Sequence, residues 1–181
     1  FGLALGGMNW AFYASLARLP IGVAVTMEFI GPLTLAAAQS RRARDLFAVA
    51  AAAGGILLIS QALTIPWREL DLAGIGLALL AGALWAAYVV LSQRTGAAFP
   101  GLDGLAIAMV VALALVLPFG VASVPQWTGA VLVKGAAVAV LSSVLPYSLE
   151  LLALRSLSQR VFGILLSLEP AVAALAGLLV L

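Results

Sequence analysis

Short polar breaks cut this chain into apolar pieces of nearly equal length, and that spacing dictates the solvent in which it folds. Seven apolar segments run over residues 1–18, 20–39, 45–63, 72–93, 103–122, 131–153 and 160–181. Each is near the ~20 residues that a helix needs to cross about 30 Å of hydrocarbon. Only 9% of the residues are charged, against 65% hydrophobic, and the mean hydropathy is +1.21. A soluble domain carries about 25% charged residues, so this chain lacks the polar surface to face water. Strands are excluded because the runs are long, rich in Ala and Leu, and do not alternate at period two. The expected fold is an all-α, polytopic helical membrane protein with seven spans. Phe1 opens inside one apolar segment and Leu181 closes inside another, so the sequence reads as a piece of a longer protein.

The basic residues set the orientation. Arg41, Arg42, Arg44, Arg94, Arg155 and Arg160 fall on one side, and Arg18, Arg68 and Lys134 on the other. The side with six is expected to be cytoplasmic, so the first span runs from inside to outside. Glu69 and Asp71 then face out, and Trp67 and Trp127 lie at outer ends of spans, where indoles favour the interface. The net charge of +2 does not signal nucleic acid, because the basic residues are scattered singly or in one short cluster. There are no cysteines and no histidines, which excludes disulfides, thiol chemistry and Cys/His metal sites. No nucleophile–base pair, phosphate-cradling loop or zinc signature is present, so no enzyme, metal or cofactor is expected.

Two glutamates sit inside apolar runs, and their surroundings match. A shift of 141 residues lays Ser15 on Ser156, Leu16 on Leu157, Gly22 on Gly163, Thr26 on Ser167 and Glu28 on Glu169. The copies are five spans apart, so they cross the membrane in opposite directions. Inverted repeats are the architecture of alternating-access carriers, with the cargo site near the midplane between the halves.

Several stretches carry a family resemblance: Gly2-Leu3-Ala4-Leu5-Gly6-Gly7-Met8-Asn9, Glu28-Phe29 with Gly31-Pro32, Ser40-Arg41-Arg42, Gly82-Ala83-Leu84-Trp85-Ala86-Ala87-Tyr88, Leu145-Pro146-Tyr147-Ser148-Leu149-Glu150, and Ser167-Leu168-Glu169-Pro170-Ala171. With these, the chain resembles the EamA-type permeases of the drug/metabolite transporter superfamily. The resemblance implies ten spans in two inverted five-span halves, of which this chain holds spans three to nine. Residues 1–63 would belong to the first repeat and 72–181 to the second. It further implies export of small amino acids of the threonine/homoserine kind across the bacterial inner membrane, coupled to protons. A broad-specificity metabolite or drug efflux permease and a non-transporting membrane scaffold are the alternatives.

The candidate substrate- and proton-binding residues are Glu28, Glu169, Asn9, Glu150, Tyr147 and Trp85. Glu28 and Glu169 are each about nine residues from a span end, and an ionisable group at that depth marks a functional site by default. The bland alternative is a protonated glutamate bonded to a neighbouring helix. Glu150 precedes Arg155 by five residues, so an interfacial ion pair competes with a cargo role. Asn9 either bonds cargo or ties two helices together. Trp85 and Tyr88, at i and i+3, form an aromatic wall or pack on a neighbour. Pro32, Pro146 and Pro170 each free a carbonyl four residues earlier, so Leu145-Pro146-Tyr147 and Glu169-Pro170 are expected bends.

Overall fold

The computed structural model describes residues 1–60, 62–66, 68, 70–121 and 124–180. Trp67 and Glu69 therefore lie outside the described residues. All seven apolar segments are helical, and among the described residues there is no strand. The helices are α1 (Gly2–Leu16), α2 (Ile21–Gln39), α3 (Ala43–Ser60), α4 (Leu72–Ala98), α5 (Asp103–Val121), α6 (Gly129–Ala139), α7 (Leu145–Leu154), α8 (Gln159–Leu166) and α9 (Glu169–Val180). A π turn at Val140–Val144 joins α6 to α7, so the sixth segment is one helix from Gly129 to Leu154.

Five of these are long and apolar enough to cross a membrane: α2, α3, α4, α5 and the joined Gly129–Leu154 helix. The first segment forms a helix of 15 residues. The seventh, expected as one span, is broken at Ser167–Leu168 into α8 and α9. Both prolines expected to mark bends stand just after irregular backbone, a π turn before Pro146 and a helix break before Pro170. Pro146 leaves the carbonyl of Ser142 without an amide donor, and the π turn ends just before it. Pro170 does the same to Leu166, the last residue of α8.

Elsewhere the helix ends carry ordinary caps. Asp71 opens α4 by accepting from the amides of Ala73 (2.8 Å) and Gly74 (3.3 Å). Thr128 and Ser158 do the same for α6 and α8 through Val131 and Val161. Arg18 donates to Asp71 Oδ2 at 2.9 Å and, with the two amides, holds that carboxyl below the usual carboxylate range.

The core lies where α4 packs against α1, α2 and α7, around Leu5, Phe29, Trp85, Tyr88, Val89, Leu151 and Leu154. At the crossing of α2 and α4, a Cβ on Gly31 would come within 1.9 Å of the Gly82 carbonyl oxygen. One on Gly82 would come within 2.3 Å of the Glu28 carbonyl oxygen. Only glycine lets the two backbones pass so closely, a frequent device between membrane helices. The Glu28 carbonyl is the one that Pro32 deprives of a helical partner, so this crossing fixes Glu28 from both sides.

Away from the core, α3, α5 and α6 present bare apolar surface, including Phe47, Leu58, Leu113 and Leu141. A bilayer solvates such faces without cost, whereas water does not. Exposed Trp127 follows a short 3₁₀ turn just before α6.

The basic end of the bundle is laced together. Gln39 of α2 donates to Gln159 of α8, which donates to Gln93 of α4 at 2.7 Å. Gln93 donates to the carbonyls of Leu154 and Leu157 at 3.4 and 3.2 Å. Arg160 pairs with Asp45 at 3.0 Å, and Arg155 donates to the carbonyls of Phe99 and Gly101. The end of α2 meets the start of α8, so the two glutamate-bearing segments run in opposite directions.

Candidate functional site

The six candidate residues come from five elements and line a single cavity of about 310 Å³. Asn9 reaches it from α1, Glu28 from α2, Trp85 from α4, and Tyr147 and Glu150 from α7. Glu169 stands in the first turn of α9. A second cavity of about 600 Å³ shares Glu28, Trp85, Glu169 and Phe12 with the first. It extends to Ile21 and Gly22 of α2 and to Ile59 and Ser60 of α3, at the end of the bundle opposite Arg41, Arg94 and Arg155. The larger cavity thus leads from the glutamates toward the end opposite Arg94 and Arg155, while a further cavity of about 580 Å³, lined by Glu150, Glu169, Leu157 and Phe162, reaches toward the basic end.

The broken helix creates this space. α8 packs along α2, where Gly163 faces Ala36 and the carbonyl of Pro32. After the break, α9 packs against α3. The divergence leaves Glu28 and Glu169 lining the gap, and among the described residues neither carboxylate makes a hydrogen bond or ion pair.

Glu150 is held differently. It makes no ion pair with Arg155, whose guanidinium is engaged by the loop carbonyls of Phe99 and Gly101. Instead its Oε2 accepts from the hydroxyl of Tyr88 at 2.8 Å. The interfacial ion-pair reading is therefore replaced by a half-buried carboxylate in the cavity wall. Asn9 Nδ2 donates both to the carbonyl of Leu5 and to the hydroxyl of Tyr147, each at 2.9 Å. It ties α1 to α7 while still lining the cavity.

The aromatic wall is half as expected. Trp85 lines both cavities, braced edge-on against Phe29 with ring centroids 5.0 Å apart. Tyr88 lines neither; it is wholly buried behind the wall, between Phe1 and Tyr147. Phe12, Tyr13 and Ser142 also line the smaller cavity and were not singled out from the sequence. Phe12 and Tyr13 follow Asn9 at i+3 and i+4, and Ser142 precedes Pro146 by four. Helical spacing and the proline rule were the signals for them.

Chemically, the smaller cavity carries three carboxyl groups and no basic side chain. The carboxyls are spread around the wall: among the described residues no group of three acidic side chains lies close enough to hold a metal ion. Such a wall attracts a cation, and the amide of Asn9 and the hydroxyl of Tyr147 add neutral polar contacts beside it.

Comparison with known proteins agrees with this architecture. The threonine/homoserine exporters RhtA of Salmonella typhimurium (strain LT2) and Escherichia coli (strain K12) are each 43% identical to this chain over 183 residues. The alignment covers 100% of the chain and 61% of each relative, so the chain spans about three-fifths of their length. No solved structure matches the chain. The profile of the EamA-like transporter family matches residues 72–181, which include Trp85, Tyr147, Glu150 and Glu169. A multi-pass helical bundle with acidic groups around an internal cavity is thus joined to a sequence match over more than half the chain, and the chain belongs to the EamA-like transporter family.

Proposed function

We propose that the protein containing this chain is a secondary carrier that exports small amino acids, of the threonine and homoserine kind, across the bacterial inner membrane in exchange for protons. The observation that carries this reading is the meeting of Glu28, Glu150 and Glu169 with Asn9 and Tyr147 around one cavity. The names of the relatives supply the substrate class. An amino acid brings an ammonium group, a carboxylate and, in threonine, a hydroxyl. Glu28 and Glu169 suit the ammonium; Asn9 and Tyr147 suit the neutral polar atoms; Trp85 walls the side chain.

Proton exchange follows from charge. Glu28 and Glu169 have no partner among the described residues, and an unpaired carboxylate is costly away from water. Each is relieved by a cation or by a proton, and the two exclude each other. A carrier that swaps ammonium for proton at the same carboxyls couples the two flows. On this reading residues 1–63 form part of the first repeat and 72–181 most of the second, and the family match over the latter range supports that boundary.

The test follows labelled threonine leaving cells that overexpress the full-length protein, with Glu28→Gln and Glu169→Gln beside wild type. Efflux that either substitution cuts at least about tenfold is the expected result. Unchanged efflux in both variants would overturn the coupling role. A second reading, a broad metabolite or drug efflux permease, is favoured by one observation: the larger cavity is walled mainly by apolar side chains. Competition of threonine efflux by bulky apolar cations would select it.

A further inference from the structure

We propose that Tyr88 is a positioning residue: it holds Glu150 in one orientation, committing one carboxyl oxygen to the protein and presenting the other to cargo. This rests on the reading of Glu150 as a cargo-binding group. Tyr88 has 0% exposure, so its hydroxyl needs an internal partner, and it donates to Glu150 Oε2 at 2.8 Å. The ring that carries this hydroxyl is immobilised. Its centroid lies 5.4 Å from that of Phe1 and 5.6 Å from that of Tyr147.

The contrast with the other two carboxylates is informative. Glu28 and Glu169 have no hydrogen-bond donor among the described residues, and they are free to trade one cation for another. Glu150 is the carboxylate with a fixed donor. One helical turn away on the same face of α7, Tyr147 is held in the same manner by Asn9. Two polar groups of α7 are thus each braced by a different helix, α4 through Tyr88 and α1 through Asn9. A glutamate has three rotatable side-chain bonds, and freezing them before cargo arrives lowers the cost of binding. Loss of Tyr88 should therefore weaken cargo binding rather than slow the turnover of the loaded carrier.

The test uses the full-length protein purified and reconstituted in liposomes, with Tyr88→Phe, Glu150→Gln and the double variant. Tyr88→Phe keeps the ring and its packing. The expected result is a rise of about five- to tenfold in KM for threonine, with kcat within about twofold of wild type. On the Glu150→Gln background, Tyr88→Phe should add little further, because the carboxylate whose orientation matters to cargo has gone. An unchanged KM, or an effect that adds in full to that of Glu150→Gln, overturns the proposal. A cargo-independent readout separates this from the transport reading. The infrared carboxyl bands that disappear in Glu150→Gln belong to Glu150, and Tyr88→Phe should shift them. If threonine is not carried but the bands shift, the positioning stands and the substrate is wrong. If the bands do not move, Tyr88 does not position Glu150, whatever is transported.

Discussion

The two copies of the repeat carry the same glutamate in different backbones. Glu28 lies inside α2, which runs unbroken from Ile21 to Gln39, whereas Glu169 starts a new helix after a break. The flanking details match: Ser15 bonds the carbonyl of Phe12, and its counterpart Ser156 bonds that of Ala153, both three residues back. The aligned glycines Gly22 and Gly163 both sit at close helix contacts, on Ser60 and on Ala36 with Pro32. What differs is the placing of proline. In the first copy it comes four residues after the glutamate, and the freed carbonyl is covered by the Gly31–Gly82 crossing. In the second it follows at once, and the helix parts. One side of the cavity is thus an unbroken helix and the other a helix break.

Making the unbroken copy resemble the broken one should have the largest effect. Gly31 aligns with Val172 of the second copy, which is well exposed. Gly31→Val would drive a side chain into the Gly82 carbonyl, where even a Cβ meets it at 1.9 Å. We expect a loss of at least about 3 kcal/mol of stability and poor recovery of folded protein, measured by size-exclusion melting in detergent. Val172→Gly should cost under about 1 kcal/mol, since it changes a well-exposed residue. Equal losses in the two variants would show that the copies are packed alike.

Making the broken copy resemble the unbroken one comes next. Pro170→Ala restores an amide for the carbonyl of Leu166 and lets α8 run on into α9. A continuous helix would follow α2 beyond Gly163 and narrow the gap beside Glu28. Export should fall about tenfold or more, because the site groups move out of register, while thermal stability holds or rises. Pro32→Ala, in the unbroken helix, should change export by less than about threefold. Transport that survives Pro170→Ala intact would mean that the break is not part of the cycle.

The span pattern was legible because a bilayer imposes a length and a composition that few other solvents do. The positions of the two irregularities were legible too, though not their form, because proline acts on the residue four before it whatever surrounds it. The six candidate residues were picked from depth, repeat and resemblance, and the structure gathers them around one cavity. Three features were not readable. The π turn and the α8–α9 break both lie at prolines, but whether a helix bends or parts depends on what covers the freed carbonyl. Tyr88 stood between a wall residue and a packing residue because spacing gives the face of a helix, not the depth of a side chain behind it. Glu150 stood between an ion pair with Arg155 and a cargo role because both residues lie near one end of the same span. Only the fold shows Arg155 drawn to the carbonyls of Phe99 and Gly101 and Tyr88 brought to Glu150.

The smallest expected effects separate the two ends of the bundle. At the basic end, Gln159 joins α2 to α4 through two side-chain hydrogen bonds. Gln159→Ala should cost about 1 kcal/mol, in line with interhelical hydrogen bonds in membranes. At the opposite end stands the exposed Arg18–Asp71 bridge, with side chains 50% and 39% accessible. A pair so wet contributes little, and salt should weaken it further. Its pH dependence has a definite sign. The Asp71 carboxyl is held below its usual range, so its contribution is complete above the ordinary value near ~3.9 and is lost only as pH falls through the lower folded value. Acidifying from pH 7 to pH 5 should therefore leave the bridge intact. Melting followed by tryptophan fluorescence at the two pH values, in wild type and Asp71→Asn, checks this; asparagine keeps the helix cap while removing the charge. A drop in stability at pH 5 that Asp71→Asn abolishes would show that the carboxyl titrates higher than its hydrogen bonds allow.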